Sequence, residues 1–218
     1  MRGCYFGPIE CGSGHICLIM RVVKFLPEAS RVAEPWKNGR GRTATVDGDA
    51  DWRVSVAEVR DSSPFSAFPG ASRILMPLSQ PGLVLKVNGQ RRALGAFQAS
   101  GFEGEDVVNA VAVQGPTEVL NLIWQRRKCS GDLTALSVAG SLELEAEAVL
   151  VVIVTAGHLT VDGAVNLGRL DAVRLTDGEA VTLSGSGQLA LACISQPDGG
   201  DVRSRATMRL EALPWMSP

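Results

Sequence analysis

Gly157-His158-Leu159-Thr160-Val161-Asp162-Gly163, Leu175-Thr176-Asp177-Gly178-Glu179-Ala180 and Gly185-Ser186-Gly187-Gln188-Leu189 set short apolar or alternating runs between residues that tolerate positive φ. This is hairpin after hairpin, because a tight turn needs Gly, Asn or Asp at its centre and a half-buried strand alternates with a period of two. Working outward, similar punctuation separates Trp52–Val59, Leu83–Val87, Val107–Val113, Val119–Trp124, Ala148–Thr155, Ala172–Leu175, Ala180–Leu183 and Leu189–Ile194, with Asn88-Gly89 as a further turn. No long stretch repeats its apolar residues at helical spacing. Leu142–Ala148 reads either as a helix face or as a strand with Glu143, Glu145 and Glu147 on its wet side, and the alternation favours the strand. The expectation is an all-β chain of antiparallel hairpins, of the jelly-roll kind, with little helix.

The strongest break is the charged segment Gln125-Arg126-Arg127-Lys128-Cys129-Ser130-Gly131-Asp132. It divides the chain into a first β half over 20–127, a flexible connection over 128–140 and a second β half over 141–218. Residues 1–19 precede the first credible strand start, Arg21-Val22-Val23-Lys24-Phe25-Leu26, and read as an extension outside the fold.

The chain has 218 residues, 45% of them hydrophobic, and 23 acids against 21 bases leave a net charge of −2. Disorder and collagen are excluded, and roughly 70 to 75% of the unfolded surface is available for burial. A near-neutral balance gives no broad basic face, so neither nucleic acid nor an anionic membrane is an expected partner. Even the apolar run Ala146–Ala156 falls short of the roughly 20 residues of a membrane helix. The start lacks the pattern of a secretory signal, which points to the cytoplasm. Cys4, Cys11, Cys17, Cys129 and Cys193 contain no Cys-x-x-Cys pair and build no zinc framework. The two histidines, His15 and His158, lie far apart in sequence, without the His-x-His cluster of a metal-bearing cupin, so no metal and no cofactor is expected.

Three segments carry the candidate chemistry. Pro35-Trp36-Lys37-Asn38-Gly39-Arg40-Gly41-Arg42-Thr43 is a loop rich in cations and glycine. It reads either as an anion grip, with charged donors and close backbone approach, or as a solvated turn before a strand. In Asp51-Trp52-Arg53-Val54-Ser55-Val56-Ala57-Glu58-Val59, alternation puts Trp52, Val54, Val56 and Glu58 on one face and Arg53, Ser55, Ala57 and Val59 on the other. The second face either lines a lumen, with Arg53 aimed at a carboxylate, or faces water. Ser63-Pro64-Phe65-Ser66-Ala67-Phe68-Pro69-Gly70 reads as an aromatic loop that lids a pocket or plugs a barrel end, since proline removes ladder donors. Glu58 is a weak candidate for a general base, and no other catalytic constellation is visible.

These three segments, followed by Arg73, Phe102-Glu103-Gly104-Glu105, Gly115-Pro116, Leu120-Asn121-Leu122 and Arg126, resemble the HutD/Ves family over about Met20 to Arg127. The resemblance implies a double, bicupin-like jelly-roll β-barrel without the usual metal ligands, linked to histidine utilisation or to stress response in bacteria. It points to Trp36, Lys37, Asn38, Thr43, Arg53, Ser55, Phe65, Ser66, Phe68 and Arg73 as the ligand-binding residues. Two positions depart from the family pattern: Arg40 stands in the glycine run, and Val119 stands where an aspartate is common. The function expected is binding of a small carboxylate metabolite by a regulator or sensor. The alternatives are an enzyme acting on such an acid with Glu58 as base, and a structural or partner-binding barrel that forms a homodimer.

Overall fold

The computed structural model describes residues 5–11, 15–21, 23–36, 39–111, 113, 115–197 and 206–211, of which 5–11, 15–21 and 206–211 are described by their backbone. The chain is all-β, and the only helical turn among the described residues is the 3₁₀ turn Glu28–Ser30. It divides into two compact units, one of residues 29–135 with 190–203 and the other of 1–28, 136–189 and 204–218.

The first unit holds two antiparallel sheets. The larger runs Ser100–Glu103, Ala71–Pro77, Thr117–Gln125, Trp52–Val59, Gly41–Gly48 and Ala33–Pro35 in spatial order. The smaller runs Gln90–Leu94, Leu83–Val87, Val108–Val111 and Ser63–Pro64. Asn88 and Gly89 take φ of 47° and 88° in the hairpin between Leu83–Val87 and Gln90–Leu94, as a tight turn of this kind requires. The two sheets share one core. Ala57, Val59, Leu75, Phe102 and Val119 from the larger sheet pack with Leu83, Leu85, Val87, Leu94, Val108 and Ala110 from the smaller, and Trp36, Phe65 and Val113 close against them.

A seven-stranded sheet carries Ala206–Glu211, Ser130–Ala146, Ala180–Ser195, Val149–Val161, Ala172–Leu175 and Lys24–Leu26 in that order, with Val165–Leu167 beside Val149–Val161, and the second unit contains its residues 24–26, 136–146, 149–161, 165–167, 172–175, 180–189 and 206–211. Pairs of runs expected as separate strands are single long strands here. Gly157 and Gly187 explain why. A Cβ on Gly157 would lie 2.6 Å from the Gly187 Cα, so facing glycines in adjacent strands let the backbones close without a turn. Asp177-Gly178 does turn the chain, but between strands that flank Val149–Val161 rather than pair with each other.

Three boundaries differ from the expectation. Residues 128–140 are not a flexible connection over most of their length, because Ser130–Ala146 is one strand of 17 residues anchored by buried Leu133 and Val138 within its polar run. Lys24–Leu26 pairs with Ala172–Leu175 and so belongs to the sheet of the second unit. Tyr5–Cys11 and His15–Arg21 form a two-stranded sheet of their own.

Candidate functional site

Residues directly opposite in an antiparallel ladder share a face, so the register sorts the larger sheet of the first unit into rows. One row is Phe102, Arg73, Ile123 and Arg53. The next is Ser100, Leu75, Asn121, Ser55 and Thr45, and beyond it lie Pro77, Val119, Ala57, Thr43 and Glu34. Phe102, Leu75, Val119 and Ala57 belong to the shared core, which makes this the inner face. Ser55 is buried there and Arg53 stands exposed at the end of its row.

Arg73 is the unusual member. Only 8% of it is exposed. Its Nε and Nη2 both donate to Asn121 Oδ1, at 3.1 and 2.5 Å. Its guanidinium carbon lies 4.7 Å from the Phe65 ring centre and 5.3 Å from that of Phe102, so aromatic rings hold the cation. No described carboxylate pairs with it. Burial, and then the nearby charge of Arg53, push its pKa down to about 10, which leaves it cationic at neutral pH. Asn121 is itself buried, and its amide nitrogen donates to no described group.

Charge is sorted between the faces of this sheet. Glu58, Glu118, Asp47 and Glu103 register with Arg42, Glu58, Val54 and Ser72, on the face opposite Arg73. The one acid of these strands in an inner row is Glu34, exposed on the edge strand. Among the described residues, the inner-face arginines Arg73 and Arg53 have no acidic partner. A buried cation in this state is costly unless an anion arrives, and a guanidinium edge is suited to a carboxylate.

The surrounding motifs seat aromatic residues against this face. Gly39, at φ 70°, donates to the Trp36 carbonyl at 2.9 Å, and Trp36 donates to the Gly41 carbonyl at 2.9 Å. A Cβ on Gly41 would lie 2.9 Å from Trp36 Cε3, so this glycine makes room for the indole. Trp36 Nε1 donates to Thr43 Oγ1 at 2.8 Å, and its ring meets Phe65 edge-on at 6.2 Å. The glycines of the first loop therefore seat a tryptophan. Arg40 points elsewhere and donates to the Ser62 carbonyl at 2.6 Å. Lys37 and Asn38 lie outside the described residues.

The aromatic loop is held from below. Phe68 donates its N–H to the Gly104 carbonyl at 2.8 Å, and Gly70 donates to Glu105 Oε1 at 2.6 Å. Arg126 binds Glu103, both oxygens of Glu105 and the Ala71 carbonyl. The hydrogen bond from Arg126, then that from Gly70, holds the Glu105 carboxyl down at about 2, and Glu105 in turn raises the pKa of Arg126. Phe65 donates its N–H to the Val108 carbonyl at 2.9 Å and packs against the core, while Ser66 is exposed and Phe68 is half-buried.

Trp36, Thr43 and Phe65 thus form one contact chain with Arg73; Ser55 and Arg53 share its face, and Ser66 stands apart. Glu58 is tied to Arg60 and lies 3.9 Å from Arg42 Nε on the other face. His158 is exposed, in a strand of the second unit. Burial, then Asp51 and Asp49, push the Cys129 thiol up, away from nucleophilic character. Among the described residues no three His, Cys, Asp or Glu side chains gather as metal ligands, so they do not fit the metal centre of a typical cupin. No helix among them is long and apolar enough to cross a membrane. Asn121 was missing from the expected site, although a lone amide inside the apolar run Val119–Trp124 was its signal.

The fold and this inner face define a cupin-like β protein. The chain is similar to a cupin 2 conserved barrel domain protein of Leptotrichia buccalis, 9% identical with a TM-score of 0.51 over 78% of this chain and 99% of that one. It belongs to the HutD family, whose model matches residues 28–193. It is 33% identical over 153 residues to an uncharacterized 21.2 kDa protein of the hutC 3′ region of Pseudomonas putida, covering 65% of this chain and 80% of that protein. HutD of Pseudomonas fluorescens SBW25, solved in a formate condition, is 27% identical with a TM-score of 0.70 over 80% of this chain and 98% of that one.

Proposed function

We propose that this chain binds a small carboxylate metabolite and serves histidine utilisation as a cytoplasmic regulator or sensor, on a frame of two cupin-like jelly-roll units. The observation that carries the reading is Arg73, buried and cationic with no acid beside it among the described residues. In this proposal Arg73 pairs the carboxylate, and Asn121 and Ser55 orient it on the same face. Phe65 and Trp36 flank the bound acid, with Arg53 at the rim and Lys37 and Asn38 of the first loop as further donors. The hut-region relative supports the link to histidine breakdown. Glu58 is held by arginines on the opposite face, which favours binding over proton transfer by that residue.

The test is a thermal-shift screen of the chain with formate, urocanate, formylglutamate and glutamate, repeated on Arg73→Met. A ligand at about 100 times Kd stabilises the native state by about 2.7 kcal/mol. Methionine keeps most of the volume of Arg73 and removes its charge, so the expected result is a folded variant whose response to the best acid has vanished. An unchanged response in Arg73→Met would overturn the proposal.

A further inference from the structure

The row that holds Arg73 says more about the ligand than its charge. Arg73 and Arg53 both register with Ile123, from either side. Two strand spacings therefore separate them, about 10 Å between Cα atoms. Both project from one face, and neither has an acidic partner among the described residues. Their charges are close enough for Arg53 to depress the Arg73 pKa. Arg92 is the other arginine that reaches this face, and it is engaged with Ser100 Oγ and the Gly101 carbonyl at 3.3 and 2.9 Å.

Arg73 has little left to offer. Its rings of contact are Phe65 and Phe102, and Nε and Nη2 both point at Asn121. What remains is chiefly the Nη1 end of the fork, whose donors match one carboxylate. One bound monoanion leaves the row with a net positive charge at Arg53. Between the two cations Ile123 is half-buried and apolar, a seat for methylene groups. We propose that the ligand is a dicarboxylate with a short aliphatic spacer, one carboxylate on Arg73, the other on Arg53, and the spacer over Ile123. This rests on the acid-binding reading above.

Calorimetric titration at neutral pH and low salt tests it, with succinate and glutarate set against propionate and butyrate. At least tenfold tighter binding of the dicarboxylates is expected. Arg53→Gln should weaken the dicarboxylates far more than the monocarboxylates and so close most of the gap between the two series, and Arg53→Lys should recover part of the difference. Arg53 is exposed, so these variants keep the fold. Equal affinity for the two series would overturn the two-point assignment alone, as would equal weakening of both by Arg53→Gln, since one carboxylate would then bridge both arginines. No binding of either series would overturn the acid-binding reading with it.

Discussion

The unit of residues 136–189 buries Leu142, Leu144, Leu150, Ile153, Leu159 and Leu175, and Thr155 is its one buried polar residue among those described. The unit of residues 29–135 buries Ser55, Arg73, Ser100, Thr117 and Asn121 among its aliphatic residues. Thr155 is settled locally, donating to the Gln188 carbonyl at 3.0 Å. Arg73 has only a neutral amide and two rings. Polar burial without full compensation lowers stability, so Arg73 costs the first unit stability that its aliphatic neighbours supply. The proposed acid site uses this difference, since Arg73 lies in the first unit.

Substitutions on either side should separate these roles. Leu150→Ala removes a side chain with 1% exposure and should cost about 2–5 kcal/mol of stability without changing acid affinity, measured by denaturant unfolding and by titration. Arg73→Met reverses that outcome: affinity falls about 100-fold, equivalent to about 2.7 kcal/mol, with little loss of stability. If Leu150→Ala weakened binding as much as it weakened the fold, the contrast would break. A smaller effect is expected for Gly41→Ala. Its Cβ would press on the Glu58 carbonyl and the Trp36 ring, which should cost about 1–3 kcal/mol and weaken binding by displacing Trp36.

The smallest effect concerns pH. The folded Glu105 carboxyl sits at about 2, below its ordinary value of 4.5, because Arg126 and the Gly70 N–H stabilise the anion. Its contribution is therefore complete above the ordinary value and is lost as pH falls through about 2. Unfolding midpoints should drop over that interval, less steeply in Glu105→Gln, and salt should shrink the difference because the pair is exposed. A drop of equal steepness in Glu105→Gln would remove this clamp from the account.

Much of the fold is legible in the chain. Leu83–Val87 and Ala172–Leu175 fall where their apolar runs begin and end, and Asn88-Gly89 turns where its residues allow positive φ. Gly157 and Gly185-Ser186-Gly187 misled because a glycine that ends a strand and a glycine that lets two strands touch look alike until the partner is known. Alternation placed Ser55 and Arg53 on one face, but that Ser55 is buried and Arg53 exposed depends on the smaller sheet packed over that face. Arg73 and Phe65 were reached through the family resemblance, because a cation–ring contact between separate segments leaves no local pattern. Around Arg40 the sequence allowed an anion grip or a turn, and it gave no sign that Gly41 makes room for the Trp36 ring.

The most direct test supplies the missing charge from within. Asn121→Asp places a carboxylate where Oδ1 already accepts from Arg73 at 2.5 Å. If the inner face is an anion site kept open by the absence of an acid, this variant should be more stable than the parent without ligand, and calorimetric titration with the best acid should show no binding. Undiminished acid binding by the folded variant would contradict the account, because Arg73 would then not be the residue that receives the ligand.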